Sequence, residues 1–229
     1  MKFSAQRNRS LQHPSRRPNA APRVIERSVV DAILGAAAAQ FASSGFGAVS
    51  TREIADAAGV THAALLEQFP RKEAILEGLV QKSLRKSLEH LQRIQNCAAT
   101  PAARLYRAVH DEVGAIAGAN PLKPLLDLPE LRRPQFAHLA AQRRALTAWY
   151  KRCINEGIAS GDFIACDSVY LGWLVNGIGE TAYDRSDAAP ILPAVEHARA
   201  IADFAVRAIL RKPQKLAAVR REAERLGPF

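Results

Sequence analysis

Apolar residues recur every three or four positions along most of the chain, which is the period of an amphipathic α-helix. The first clear stripe predicts a helix over residues 23–44 and consists of Ile25, Val29, Ile33, Ala37 and Phe41. Pro22 suits the start of this helix, and Gly45 suits its end. Similar stripes predict long helices over residues 71–96, 101–118, 135–156, 167–183 and 193–211. The pattern therefore predicts an all-α fold.

Proline and glycine interrupt these stripes in two places. Residues 120–134 contain four prolines, which predict turns with at most a short helix. Residues 157–163 are punctuated by glycine and predict a turn, after which Asp167 can cap the next helix. Near the end of the chain, residues 214–226 predict only a frayed, charged helix.

Residues 51–69 predict two short helices joined by a tight turn, unlike the long helices around them. Thr51 is predicted to cap the first short helix, Gly59 to end it, and Thr61 to cap the second. Apolar anchors at helical spacing complete the pattern: Ile54, Ala58, Val60, Leu65 and Phe69. This arrangement is typical of a helix-turn-helix, in which the second helix stands out from the surface to read DNA.

The run from Gly45 to Leu76 resembles the DNA-binding domain of the TetR (tetracycline-repressor) family. The matching residues are Gly45, Phe46, Thr51, Ile54, Ala55, Ala58, Gly59, Val60, Leu65, Phe69, Lys72 and Glu73. The resemblance implies a transcriptional regulator, most simply a repressor. It also implies a helix-turn-helix domain (23–70) and a helical effector-binding and dimerisation domain (71–212). Composition and charge add a basic disordered arm (1–22) and a basic tail (213–229).

By the same resemblance, the residues expected to face DNA are Thr51, Arg52, Thr61, His62, Ala63, Leu66, Gln68 and Lys72. Thr51, Thr61 and Lys72 have donors that can bond phosphate oxygens and set the register on the duplex. His62 and Gln68 can reach base edges, since glutamine pairs with adenine and histidine can donate or accept.

The second short helix departs from the family pattern at its outward positions. Ala63 stands near a usual glycine and Leu66 near a usual tyrosine, so these two can only pack or contact thymine methyl groups. Glu67 adds a negative charge close to where phosphates would lie. We therefore expect an intact fold with an altered reading surface.

The formal net charge is +10, and all of the surplus lies at the two ends of the chain. Residues 1–23 carry six basic and no acidic groups, and residues 211–229 carry six basic and two acidic groups. A basic end beside a DNA-reading domain is typical of an arm that binds phosphates or the minor groove. A solvated, disordered end has the same composition. Both interpretations stay open for residues 1–23, and the solvated one is favoured for residues 211–229.

Several classes of protein are disfavoured by the sequence. No apolar stretch is long enough to cross a bilayer, and no apolar segment follows the basic N-terminal residues as in a secretory signal. The three cysteines form neither a C-x-x-C pair nor a metal-ligand cluster, which favours a cytoplasmic protein without a metal or other cofactor. The motifs H-E-x-x-H and G-x-S-x-G are missing, so an enzyme is not expected.

The resemblance further implies a homodimer and a small-molecule effector of unknown identity. The last two long helices are apolar on more than one face, which suits a four-helix bundle between two subunits. Two recognition helices about 34–36 Å apart would read a palindromic operator in double-stranded DNA. Candidate effector-lining groups are Tyr106, His110, Phe136, Trp149, Tyr150, Trp173, Asn176 and Glu180. The alternative is a DNA-binding regulator without a ligand, controlled by a protein partner or by its abundance.

Overall fold

Nine α-helices make up most of the residues that the computed structural model describes, which are residues 22–117, 128–181 and 192–227. The helices are α1 (Pro22–Ser44), α2 (Thr51–Ala58), α3 (His62–Gln68), α4 (Lys72–Gln95), α5 (Pro101–Ala117), α6 (Ala137–Ser160), α7 (Ser168–Thr181), α8 (Ala194–Ile209) and α9 (Leu216–Glu224). Single 3-10 turns occur at Pro129–Arg132, Pro134–Phe136 and Pro213–Lys215. These ranges contain no β-strand, so the all-α prediction is confirmed.

The helices α1 to α4 enclose the first of two hydrophobic cores. This head core runs from Ile33 to Leu84 and also receives Phe136 and Leu139 from the start of α6. Phe41 on α1 meets Phe46 edge to face, with 5.1 Å between ring centroids. Between them the chain turns at Gly45, whose φ of 80° lies in the left-handed region that a side chain disfavours. The predicted end of α1 at this glycine is confirmed.

The second core, the body core, is built around α5. It runs from Leu91 near the end of α4 to Ala223 on α9 and includes buried residues of α5, α6, α7 and α8. The helix α5 packs against α4, α6, α7, α8 and α9. The head core and the body core are therefore distinct clusters of buried residues, and Leu146 on α6 packs against both.

Helix α4 enters both cores. At ~1.5 Å per residue its length is about 36 Å. Leu76 and Leu79 are buried in the head core, whereas Leu91 and Ile94 are buried in the body core. Helix α4 therefore connects the head core with the body core.

Polar contacts hold the body end of α4 against α5. His90 Nε2 lies 3.0 Å from a carboxylate oxygen of Asp111, which also accepts from Arg107 Nε at 2.6 Å. Burial raises the pKa of Asp111, but hydrogen bonds from His110, His90 and Arg107 outweigh it and hold the pKa well below its ordinary range. The carboxylate therefore stays charged and keeps its ion pair with Arg107.

Helix α6 also enters both cores, which the sequence pattern did not predict. Leu139 is buried in the head core, and Trp149 and Tyr150 are buried in the body core. Near the start of α6, His138 Nε2 lies 3.0 Å from Glu77 on α4. The head is thus held by two helices rather than by α4 alone.

The predicted turn at residues 157–163 is wrong in its first part, because α6 continues to Ser160 and ends at Gly161 with φ 80°. Gly157 sits inside the helix for a tertiary reason. An alanine Cβ there would lie 2.1 Å from Cδ2 of Phe163, which is fully buried. Glycine at this position is required by the ring of Phe163, which packs on it.

After this segment, Asp167 caps α7 as predicted. Its carboxylate accepts from the backbone N–H groups of Val169 and Tyr170.

The solvated basic end expected at residues 211–229 is also corrected, because α9 folds onto α5 with Val219 and Ala223 buried. The carboxylate of Glu222 accepts from the backbone N–H and the hydroxyl of Thr100, at 2.7 and 2.9 Å. Arg220 forms an ion pair with Asp203 on α8. This basic segment therefore includes a helix, α9, that completes the body core.

The described residues hold no helix that is long and apolar enough to cross a membrane. No group of three or more His, Cys, Asp or Glu side chains among them could hold a metal ion.

Cys153 is buried, donates to the carbonyl of Pro101 at 3.4 Å, and has its thiol pKa raised to about 12 by burial. It behaves as a small apolar residue.

Candidate nucleic-acid interface

The cap of α2 is Ser50 rather than Thr51, which corrects the sequence prediction by one residue. Ser50 Oγ accepts from the backbone N–H of Glu53 at 3.2 Å, and the Glu53 carboxylate accepts from the backbone N–H of Ser50 at 2.7 Å. The Ser50 hydroxyl also donates to the Glu53 carboxylate at 2.7 Å, and this bond, with the one from the Ser50 backbone N–H, lowers the pKa of Glu53. The S-x-x-E pattern of a capping box was present in the sequence and could have identified Ser50.

The turn between α2 and α3 forms as predicted. Gly59 has φ 68° and donates to the carbonyl of Asp56, which ends α2. Val60 is half-buried and packs against the head core, so it fills the corner between the two helices. Thr61 Oγ1 accepts from the backbone N–H of Ala64 at 3.1 Å and caps α3.

Helix α3 is attached to the head through one face. Leu65 is fully buried, and Phe69, which follows the helix, is half-buried against the same core. Ala63, Leu66 and Glu67 are exposed. A capped helix whose far side faces solvent has the geometry needed to enter a major groove, since that groove admits a single α-helix.

The side chains of Thr51 and His62 bond to each other instead of standing free. Thr51 Oγ1 and His62 Nε2 are 3.0 Å apart, and both side chains are half-buried. This contact links the start of α2 to the start of α3. The roles predicted for them, phosphate binding and base reading, would have to use the remaining donors or acceptors of each group.

The structure uses Lys72 differently from the phosphate donor that the sequence predicts. Its ammonium group donates to the backbone carbonyls of Phe46, Gly47 and Val49, at 2.7, 3.3 and 2.8 Å. Nζ also lies 4.6 Å from the centroid of the Phe46 ring. Because an ammonium has three donors, these carbonyls occupy all of them. Lys72 is therefore a clamp that holds the chain between α1 and α2 in place.

Two arginines near Lys72 are better placed to bind phosphates. Arg52 on α2 and Arg71 just before α4 are both exposed, and neither makes an ion pair with another described residue. Arg52 belongs to the predicted set. Arg71 was missed, because the family pattern drew attention to its neighbour, and its exposure is visible only in the fold.

We predict that Lys72→Met destabilises the head without changing how DNA binding depends on salt. The substitution leaves the carbonyls of Phe46 and Val49 without their donor, which is expected to lower the free energy of unfolding by about 1–2 kcal/mol. Arg71→Met is the matched control, because it removes a neighbouring cation that has no carbonyl partner. We expect it to leave thermal stability unchanged and to flatten the slope of log K against log salt by about one phosphate contact.

These two measurements distinguish the two roles of Lys72. A lower unfolding temperature with an unchanged salt slope fits a clamp. A flattened slope with unchanged stability would instead support the original assignment of Lys72 to a phosphate.

The structure does not bring the predicted effector-lining residues together. Phe136 is buried in the head core, while Trp149 and Tyr150 are buried in the body core. Trp173 on α7 is 64% exposed. The side chains of Asn176 and Glu180 lie outside the described residues. Phe136, the pair of Trp149 and Tyr150, and Trp173 therefore lie in three different surroundings, and their role in binding an effector stays a prediction.

Tyr106 and His110 line a common cavity, which has a volume of about 110 Å³ and is bounded also by Arg107, Val195, Arg199, Ala223 and Glu224. The Tyr106 hydroxyl donates to Asp203 at 2.9 Å. Burial makes the larger contribution and this hydrogen bond the next, and together they raise the pKa of Tyr106 to about 12. A second cavity of about 230 Å³ lies beside Phe136 at the start of α6. Neither reaches the roughly 300–1,000 Å³ of a usual ligand pocket.

A model of the family described as bacterial regulatory proteins, tetR family, matches residues 33–79. This range begins inside α1, covers α2 and α3 completely, and ends in the part of α4 that is buried in the head core. It therefore coincides with the helices that present α3.

Named relatives agree with this match. The chain is 28% identical over 141 residues to the HTH-type transcriptional repressor KstR2 of Mycolicibacterium smegmatis. These aligned residues make up 58% of this chain and 66% of the relative, so the chain spans slightly under two thirds of the relative's length. Among solved structures, AmtR of Mycobacterium smegmatis is 29% identical with a TM-score of 0.62, covering 95% of this chain and 99% of that one. A bacterial regulatory protein in the tetR family from Rhodococcus RHA1 is 25% identical with a TM-score of 0.68, covering 78% and 95%.

Proposed function

We propose that this chain, which belongs to the TetR family of bacterial transcriptional regulators, is a repressor that binds a palindromic operator as a homodimer and is released by a small molecule. The observation that carries the proposal is the setting of α3. Thr61 caps it, Leu65 anchors it in the head core, and Ala63, Leu66 and Glu67 face outward.

Dimerisation is supported by the surface of α7 and α8. Both helices pack on α5 through one side, yet each also carries large apolar side chains that face solvent. These exposed residues are Val169, Tyr170 and Trp173 on α7, with Val195 and Phe204 on α8. Large apolar side chains that face solvent on a regulator of DNA are best explained by a second copy of the chain, because the recognition helix of one subunit reads too few base pairs.

Release by an effector is supported by the two helices that enter both cores. A ligand that moves α4 or α6 within the body core would change the position of the head core, and so the separation of the two α3 helices in a dimer. The chemistry of the effector is not assigned, since the predicted lining residues lie apart.

A second candidate is a DNA-binding regulator that takes no small molecule and responds to a protein partner or to its own abundance. The observation that favours it is the burial of Trp149, Tyr150 and Cys153, whose side chains occupy the interior of the body core. The two candidates differ in one measurement. Only an effector-controlled repressor would release a bound operator when a metabolite mixture of low molecular mass is added.

We expect purified protein to select a palindromic sequence from random double-stranded DNA and to bind it at least about 10³-fold more tightly than unrelated DNA at physiological salt. The control is the same palindrome with five base pairs inserted between its halves. This insertion rotates one half-site by about half a turn of the helix, so both α3 helices can no longer engage.

The binding can be followed by gel shift or fluorescence anisotropy at several salt concentrations. A protein that stays monomeric and binds no double-stranded oligonucleotide at low salt would disprove the proposal. Equal binding to the palindrome and to its lengthened form would reject the symmetric dimer.

A further inference from the structure

The outermost positions of α3 are Ala63 and Glu67. Successive helical residues are rotated by about 100°, so residues 63 and 67 stack one turn apart on the face opposite Leu65. Both are exposed, whereas Leu65 is fully buried. If the exposed face of α3 points into the major groove, residues 63 and 67 are the ones nearest to the bases.

The two polar residues that the sequence assigned to base reading lie at the flanks of this face. His62 and Gln68 are both half-buried, and the ring of His62 is bonded to Thr51 at 3.0 Å. Among the polar side chains of α3, only that of Glu67 is exposed. Its carboxylate makes no hydrogen bond or ion pair with any residue that the structure describes.

Ala63 makes a close approach possible. Its side chain is a single methyl group, so the backbone of α3 can come near the edges of the bases at that turn. Glu67 is one turn away on the same side and has a longer side chain, which then reaches to the floor of the groove.

An ionised carboxylate can only accept hydrogen bonds. In the major groove the donors are the N4 amino group of cytosine and the N6 amino group of adenine, whereas guanine and thymine present acceptors at the corresponding places. Adenine also presents its N7 acceptor next to the amino group, which would repel the carboxylate. Cytosine is therefore the base that suits Glu67 best.

We propose that Glu67 is a specificity-determining residue that selects a cytosine in each half of the operator. This inference rests on the proposed function, because it requires α3 to enter the major groove. The same negative charge has a second effect, since it disfavours every register in which the carboxylate meets a phosphate or an acceptor edge.

The test compares operator selection by the wild type, Glu67→Gln and Asp56→Asn. We expect the wild type to prefer cytosine at one position of each half-site by about fivefold or more. In Glu67→Gln this preference should move to adenine, because a glutamine amide pairs with its N6 and N7. Asp56→Asn is the matched control. It removes the same charge from another exposed, unpaired residue of the head, on α2, and should raise affinity for all DNA without changing any base preference.

A chemical change in the DNA gives an independent readout. The selected cytosine is replaced by its analogue that lacks the exocyclic amino group. The wild type should lose about fivefold in affinity, while Glu67→Gln should lose less, since it does not use cytosine N4.

Both variants change an exposed side chain, so unfolding temperatures equal to that of the wild type are expected and exclude a folding defect. Unchanged base preferences in Glu67→Gln, with a general gain in affinity like that of Asp56→Asn, would overturn the inference and leave the proposed function intact. Failure of the wild type to select any sequence would instead contradict the proposed function.

Discussion

Gly157→Ala should be among the most destabilising single-methyl additions in this protein, although Gly→Ala inside a helix normally stabilises it. The added Cβ would lie 2.1 and 2.3 Å from two carbons of the Phe163 ring, where ~3.5–4.0 Å is the favourable separation. Phe163 is fully buried, so its ring cannot swing into solvent to make room. We expect the free energy of unfolding to fall by about 2–3 kcal/mol, at the upper end for overpacking of a core.

The measurement is thermal unfolding followed by circular dichroism at one fixed protein concentration. For a chain of this size, about 2–4 °C of unfolding temperature is lost per kcal/mol. Gly35→Ala is the matched control, because Gly35 lies on the exposed side of α1 and an added Cβ meets nothing within 4 Å. That variant should be more stable than the wild type by roughly 0.5–1 kcal/mol, which is the helix preference of alanine over glycine.

A second background tests whether Phe163 is the cause. In Phe163→Leu the side chain is smaller, so Gly157→Ala should be less destabilising there than in the wild type. An equal penalty in both backgrounds would mean that the methyl group clashes with something else. A Gly157→Ala variant as stable as Gly35→Ala would refute the packing argument altogether.

This same glycine illustrates where reading the sequence failed. Local rules treat two glycines in a short segment, here Gly157 and Gly161, as a turn. Gly161 does end α6 in the left-handed region. Gly157 obeys a different constraint, which is the ring of a residue further along the chain. The contact between them appears only once α6 and the following segment are folded, so no local pattern could distinguish the two glycines.

The elements that could be predicted are those set by interactions within a few residues. The stripe on α1, the glycine that ends α2 and the threonine that caps α3 depend on the helical period and on backbone geometry. The same holds for the capping box at Ser50 and Glu53, which was present in the sequence but assigned one residue too late. Errors in such local features are small.

The partners of polar side chains were the least predictable part of the candidate interface. Lys72 reaches the carbonyls of Phe46 and Val49, more than twenty positions away in the chain. A lysine that binds three carbonyls and a lysine that waits for a phosphate have the same sequence signature. The same limit applies to the aromatic residues of the body, because helical spacing does not separate a filled core from a pocket wall.

Phe204→Glu is expected to separate the two subunits and, through that, to weaken operator binding by about 10²-fold or more, since the second head would lose its effective concentration at the DNA. Phe204 is 67% exposed on α8, and Trp173 on α7 is 64% exposed. A carboxylate in the middle of an apolar interface would have to be desolvated without a partner, which strongly opposes association. The buried side of α8, with Ala198, Ala202 and Ala205, faces α5 and is unaffected.

Because Phe204 is exposed within one subunit, the Phe204→Glu chain should still fold, and this separates loss of the dimer from loss of structure. Analytical ultracentrifugation should show a monomer with a normal helical circular dichroism spectrum, and binding to a single half-site should be unchanged. Phe204→Leu is the control, since it retains an apolar side chain and should remain a dimer that binds the palindrome. If Phe204→Glu sediments as a dimer and binds the palindrome normally, the subunits must associate through another surface, and the exposed apolar residues of α7 and α8 would need a different partner.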